Sequence, residues 1–113
     1  MSLDPADLKA ITWLSPWQLI DDARAATLER ELQRELSSPH VLHARPLRAI
    51  AARVDQDDVL YLVASPDALA VVHLSYRKET RPEFPACILF ESVDEFVEGC
   101  MKPDHLEHTD EDD

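Results

Sequence analysis

Apolar positions are densest between Val59 and Tyr76, where the chain reads VLYLVA, then SPDA, then LAVVHLSY. Two runs rich in β-branched and aromatic residues, divided by turn chemistry, predict a β-hairpin at the centre of a small sheet. Pro66 presets φ for the second position of a type I turn, and Asp67 suits the next. In the second run Ala70, Val72, Leu74 and Tyr76 share one face, expected to point into the core. Val71, His73 and Ser75 share the other. That face is mixed, which predicts helix cover on one side of the sheet only.

The flanks read as helices and further strands. Asp4-Pro5-Ala6-Asp7 has the form of a helix start, with Asp4 as N-cap, predicting one or two turns to about Ile11. Trp13 follows in a connector and is expected to anchor against the core. Ser15-Pro16-Trp17-Gln18 has capping-box spacing and predicts a second helix reaching Leu36, with Asp21-Asp22 as its weak point. Ala25, Leu28, Leu32 and Leu36 give that helix its apolar face, and Ser37-Ser38-Pro39 ends it. Leu47–Val54 suits a strand with Arg48, Ile50, Ala52 and Val54 on one side and Leu47, Ala49, Ala51 and Arg53 on the other. Its alanines keep helix as a competitor. After the polar loop Arg77–Pro85, Ala86–Phe90 reads as a fourth strand. Ser92-Val93-Asp94-Glu95 is a capping box opening a last helix, which Pro103 should close.

The expected architecture is α+β: an N-terminal helix or pair of helices, an antiparallel meander of three to four strands, and a C-terminal helix packed on one sheet face. Residues 1–103 would form one domain, and 104–113 an acidic disordered tail.

Composition narrows the function classes. At 113 residues the chain has the size of one domain, and 45% hydrophobic residues suffice for a modest core. No apolar run approaches the roughly 20 residues of a membrane span, and the N-terminus lacks a basic-then-apolar leader. A cytoplasmic protein is the expectation. The net charge of −12, with six acids after Pro103, opposes binding to nucleic acid or to anionic membranes. Gly99 is the only glycine. Phosphate-cradling loops need several, so an NTPase or dinucleotide enzyme of ordinary design is excluded. Cys87 and Cys100 have no metal spacing and no disulfide framework, though a bridge between last strand and last helix is conceivable.

No complete catalytic, metal or cofactor motif can be written. His73 is the first candidate, since it interrupts an apolar strand and shares a face with Ser75. An exposed or cross-strand-paired histidine is the commoner outcome. A triad of Ser75, His73 and one of Asp55, Asp57 or Asp58 lacks a nucleophile elbow. His40 with His43 has a metal-like step but lies beside proline, and Asp55-Gln56-Asp57-Asp58 lacks the glycine and distal glutamate of a calcium loop. His105 and His108 stand among acids. Arg45, Arg48 and Arg53, with Arg77, Lys78 and Arg81, are the only basic concentration. Joined on one surface they would suit an anion or an acidic partner; charge balancing of neighbouring acids is the plainer alternative. Phe84, between Pro82 and Pro85, is an aromatic anchor or a plug at the sheet end.

The runs DDVLYLV, AVVHLSY, RPEFP and LFESVDEF, with Glu31-Leu32 and Glu35-Leu36 upstream, resemble a family of small bacterial proteins with no established activity. The resemblance covers roughly residues 28 to 98. It implies a fold and no chemistry. The expected function is a small interaction module without catalysis, binding a protein partner or itself as a homodimer through the open sheet face and the Arg77–Pro85 loop. The alternative is a small-ligand (anion) binder or minor enzyme with a pocket near His73 and the arginines.

Overall fold

The computed structural model describes residues 5–64, 67–77, 80–81 and 83–110. The proposed cap Asp4, the turn residue Pro66, and Lys78 and Pro82 of the later loop lie outside them. The elements run α1 (Pro5–Ala10), β1 (Trp17–Leu19), α2 (Asp22–Glu35), β2 (Leu47–Arg53), β3 (Asp58–Val63), β4 (Ala68–His73) and β5 (Cys87–Phe90). A continuous helical stretch follows: α3 (Val93–Phe96), a π-helical turn (Val97–Met101) and α4 (Lys102–Asp110). The five strands pair in sequence order, every neighbour antiparallel. The meander is as expected, with one strand more.

The extra strand is β1. Trp17 pairs with Arg53 and Leu19 with Ala51, so Ser15-Pro16-Trp17-Gln18 opens no helix. The helix start is at Asp21, whose carboxylate accepts the Arg24 N–H at 2.8 Å and caps α2. Leu47–Arg53 is strand, not helix, and the central hairpin pairs Asp58 with His73 through to Val63 with Ala68. The strict alternation expected along β2 fails. A bulge between Ala49 and Ala51 puts Leu47, Ala49 and Ala52 towards α2, and Ile50 with Ala51 towards the other face.

Helices cover both faces, which corrects the one-sided reading. Against α2 pack Ala49, Ala52, Val59, Tyr61, Ala70, Val72 and Leu74, with Leu28 and Leu32 from the helix. The Tyr61 hydroxyl donates to the Leu28 carbonyl at 2.8 Å, tying helix to sheet. On the opposite face Ile50, Ala51, Leu60, Leu69 and Val71 meet Leu8, Trp17, Phe96 and Met101. Phe96 is the hub there, edge-on to Trp17 at 5.4 Å and Phe90 at 5.9 Å, with the anchor Trp13 at 6.0 Å. Val71 is therefore buried, and the open face proposed for a homodimer does not exist. His73 and Ser75 made that face look polar, but His73 is the exposed last residue of β4, and Ser75 lies past the strand, bonded to Glu35 at the end of α2. Tyr76 is also corrected: it leaves the core face at φ 60° and is exposed.

Helical structure continues past Pro103. The Lys102 N–H donates five residues back to Val97, and this wide turn starts a new helical register. Pro103 then lies in the first turn of α4, just after the register has shifted. Asp104 to Asp110 accordingly belong to the folded body rather than to a disordered tail. No helix among the described residues is long and apolar enough to cross a membrane.

Candidate functional site

The end of β4 gathers four of the candidate residues. His73, Ser75, Arg77 and Phe84, with Asp57 and Pro85, line a cleft of about 360 Å³. His73 faces Asp58 across the strand pair, and its Nδ1 lies 2.7 Å from the Asp58 carboxylate. Among the described residues the ring's Nε2 has no partner. Ser75 is committed elsewhere: its hydroxyl donates to Glu35 Oε1 at 3.0 Å. No hydrogen bond joins it to His73, so the triad is not assembled.

The arginines disperse. The Arg45 Nε donates to the Ala64 carbonyl at 3.2 Å. Arg48 lies across β2, beside hollows shared with Glu29 and Leu62. Arg53 grips both oxygens of Asp55 at 2.9 Å and lies 3.4 Å from Asp104 and 4.0 Å from Asp58. The hydrogen bond from Arg53 holds Asp55 below the usual carboxylate range. Arg81 pairs with Glu83 at 2.7 Å and stands 5.8 Å over the Phe84 ring. Only Arg77 lines the His73 cleft.

Three of the other four histidines contact neighbouring segments, and His43 is exposed. His40 is buried; its Nδ1 accepts the Leu42 N–H at 3.0 Å, so its Nε2–H donates to the Pro85 carbonyl at 2.9 Å. His105 Nδ1 meets the Ser15 carbonyl at 2.7 Å, and His108 lies 3.8 Å from Asp55. Among the described residues no group of three or more metal-ligating side chains converges. Both cysteines are free. Burial, reinforced by the neighbouring Asp104, pushes the Cys100 thiol up to about 12.

Three features escaped the sequence reading. The first is Glu35, whose side chain is wholly buried. Its Oε1 accepts the Ser75 N–H at 2.8 Å as well as the hydroxyl, and its Oε2 accepts the Tyr76 N–H at 2.9 Å. Burial raises its pKa, while hydrogen bonding to Glu35 and to Arg34 lowers that of neighbouring Glu31. The signal was present: Leu28, Leu32 and Glu35 stand at i, i+4 and i+7, so the glutamate lies on the apolar stripe. The second is Asp104, which accepts from the Trp17 Nε1 at 2.9 Å and the Cys100 thiol at 3.4 Å.

The third is the free edge of β5. The His73 N–H donates to the Ala86 carbonyl at 2.9 Å, which makes that pair hydrogen-bonded. By alternation Ile88 and Phe90 also bond inwards to β4, and the N–H and C=O groups of Cys87 and Leu89 face outwards. Among the described residues nothing pairs with them. Ile88 is 60% exposed and Leu89 44%. The edge stops at Glu91, whose N–H is taken by Glu95 Oε2 at 2.6 Å, while Ser92 Oγ accepts the Glu95 N–H at 3.1 Å.

No family model, curated protein or solved structure matches this chain.

Proposed function

We propose that the chain is a small cytoplasmic protein-interaction module without catalytic activity, which takes up an extended segment of another chain along β5. The observation that carries this is the β5 edge, where two exposed aliphatic residues flank outward backbone groups without partners. Addition of a strand satisfies such groups and buries the side chains in one step. Phe84, 42% exposed with Arg81 over its ring, extends the contact at the start of the strand. Two free thiols suit a reducing compartment. The ligand-binding alternative rested on arginines converging with His73, and a single one lines that cleft. The resemblance to small bacterial proteins transfers no activity, so the reading stands on the edge.

Leu89→Pro is the direct test. The Leu89 N–H faces outwards, so proline there removes no bond to β4. Proteins captured from a bacterial lysate by the wild type should be lost on Leu89→Pro and kept on Val41→Lys, which changes an exposed aliphatic residue elsewhere. Equal capture by all three, with unchanged circular dichroism, refutes the reading.

A further inference from the structure

We infer that the segment β5 takes up is β5 of a second copy, paired antiparallel about a two-fold axis through Ile88; this rests on the strand-addition reading above. The edge is self-complementary in register. Its two outward-facing residues, Cys87 and Leu89, lie symmetrically about Ile88. A two-fold there sets Cys87 against the partner's Leu89 as a hydrogen-bonded pair, and Leu89 against the partner's Cys87. Ile88 then meets the partner's Ile88 in the non-hydrogen-bonded position, where side chains approach most closely and a β-branched pair packs best.

Charge favours the same arrangement. Arg77 and Arg81 stand at the start of β5, and Arg77 shares its cleft with Pro85 and Ala86. Glu91, Asp94 and Glu95 follow its end. Antiparallel self-pairing lays Arg77 and Arg81 of each chain beside the acidic end of the other strand, although Glu83 offsets part of the charge of Arg81 and Asp57 and Asp58 stand at the same end of the sheet. The net charge of −12 sets copies apart at long range. At about 0.15 M salt that repulsion is screened beyond about 8 Å, and the short-range ends remain. The Glu95 cap on Glu91 limits the pairing to the central residues, so chains do not stack on through the turn. A closed two-fold pairing also removes the edge that would otherwise recruit any strand.

The experiment is sedimentation equilibrium at about 0.15 M salt, from micromolar to millimolar protein. The wild type should reach twice the 12.8 kDa chain mass. Leu89→Pro and Ile88→Lys should each weaken association by about tenfold or more. Arg81→Glu should weaken it, and Arg81→Glu combined with Glu91→Arg should restore it, because the polarity of both ends is then reversed together. A wild type that stays monomeric at millimolar concentration overturns the inference, as does a dimer indifferent to both edge substitutions. A monomer whose lysate capture is still lost in Leu89→Pro shows that the edge takes a different chain, and only the second-copy assignment fails. Indifference of both mass and capture to the edge variants removes the strand-addition reading as well.

Discussion

Glu35 holds the chain where it turns out of β4. It supplies acceptors for two backbone N–H groups and one hydroxyl, and it does so with no solvent contact. Tyr76, in the left-handed region at φ 60°, is kept there partly by that carboxylate. Glu35→Ala leaves the Ser75 and Tyr76 N–H groups without acceptors, while the Ser75 hydroxyl keeps the Arg77 carbonyl at 3.3 Å, and should cost about 3 kcal/mol in urea unfolding. The pH dependence has a defined sign. Burial raises the folded-state pKa of Glu35 above its ordinary 4.5. The stability tied to its protonated form is therefore complete below 4.5 and is lost as pH rises through the folded value. Glu31 and Asp55, both lowered, act in the opposite sense and lose stability as the pH falls. Comparing Glu35→Gln with Glu35 in a shared Glu31→Gln background isolates the Glu35 contribution, because the two carboxyls otherwise shift each other. The variant should be less stable at low pH and close part of the gap as pH rises; a gap constant with pH contradicts the raised pKa.

At the scale of elements, the helix after Pro103 decides how the N-terminal segment is held. Asp104 bonds the Trp17 indole and lies 3.4 Å from Arg53, joining α4 to β1 and β2. Asp104→Ala should cost about 2 kcal/mol, since the bonds it loses go to a charged acceptor. That corresponds to a melting temperature lower by roughly 10 °C, with a red-shifted tryptophan emission. An unchanged melt would return 104–110 to the status of an appendage. The hairpin, the later strands and the Ser92 cap were legible because local pattern and tertiary need agree there. Three elements were not. Ser15-Pro16-Trp17-Gln18 has a helix-start spacing, yet Trp17 gains more by pairing with Arg53 and burying against Phe96. The bulge in β2 has no sequence signature, since alanine fits either face. Pro103 ends most helices, and only the π turn before it lets α4 proceed. Of the candidate site, the chain order brought His73, Ser75, Arg77 and Phe84 together at one strand end. Arg45 was drawn instead to the Ala64 carbonyl and Arg53 to the acids around it.

At the scale of the whole molecule, two apolar layers share one sheet, and neither α2 nor the C-terminal helices have a core of their own. The β3–β4 pair contributes alternate residues to each layer: Val59, Tyr61, Ala70 and Val72 to one, Leu60, Leu69 and Val71 to the other. Loss of packing on either face thus loosens the same hydrogen-bonded ladder. Both tryptophans, Trp13 and Trp17, belong to the layer opposite α2, so their fluorescence reports that layer alone. Leu32, fully buried in α2, touches only the other. Leu32→Ala should cost about 2–5 kcal/mol through lost burial and the cavity left behind. In a cooperative molecule the tryptophan-detected transition must shift by the same amount as the one seen by far-ultraviolet circular dichroism. If the tryptophan transition stays in place while the dichroism moves, the layers unfold separately, and the sheet does not unite them.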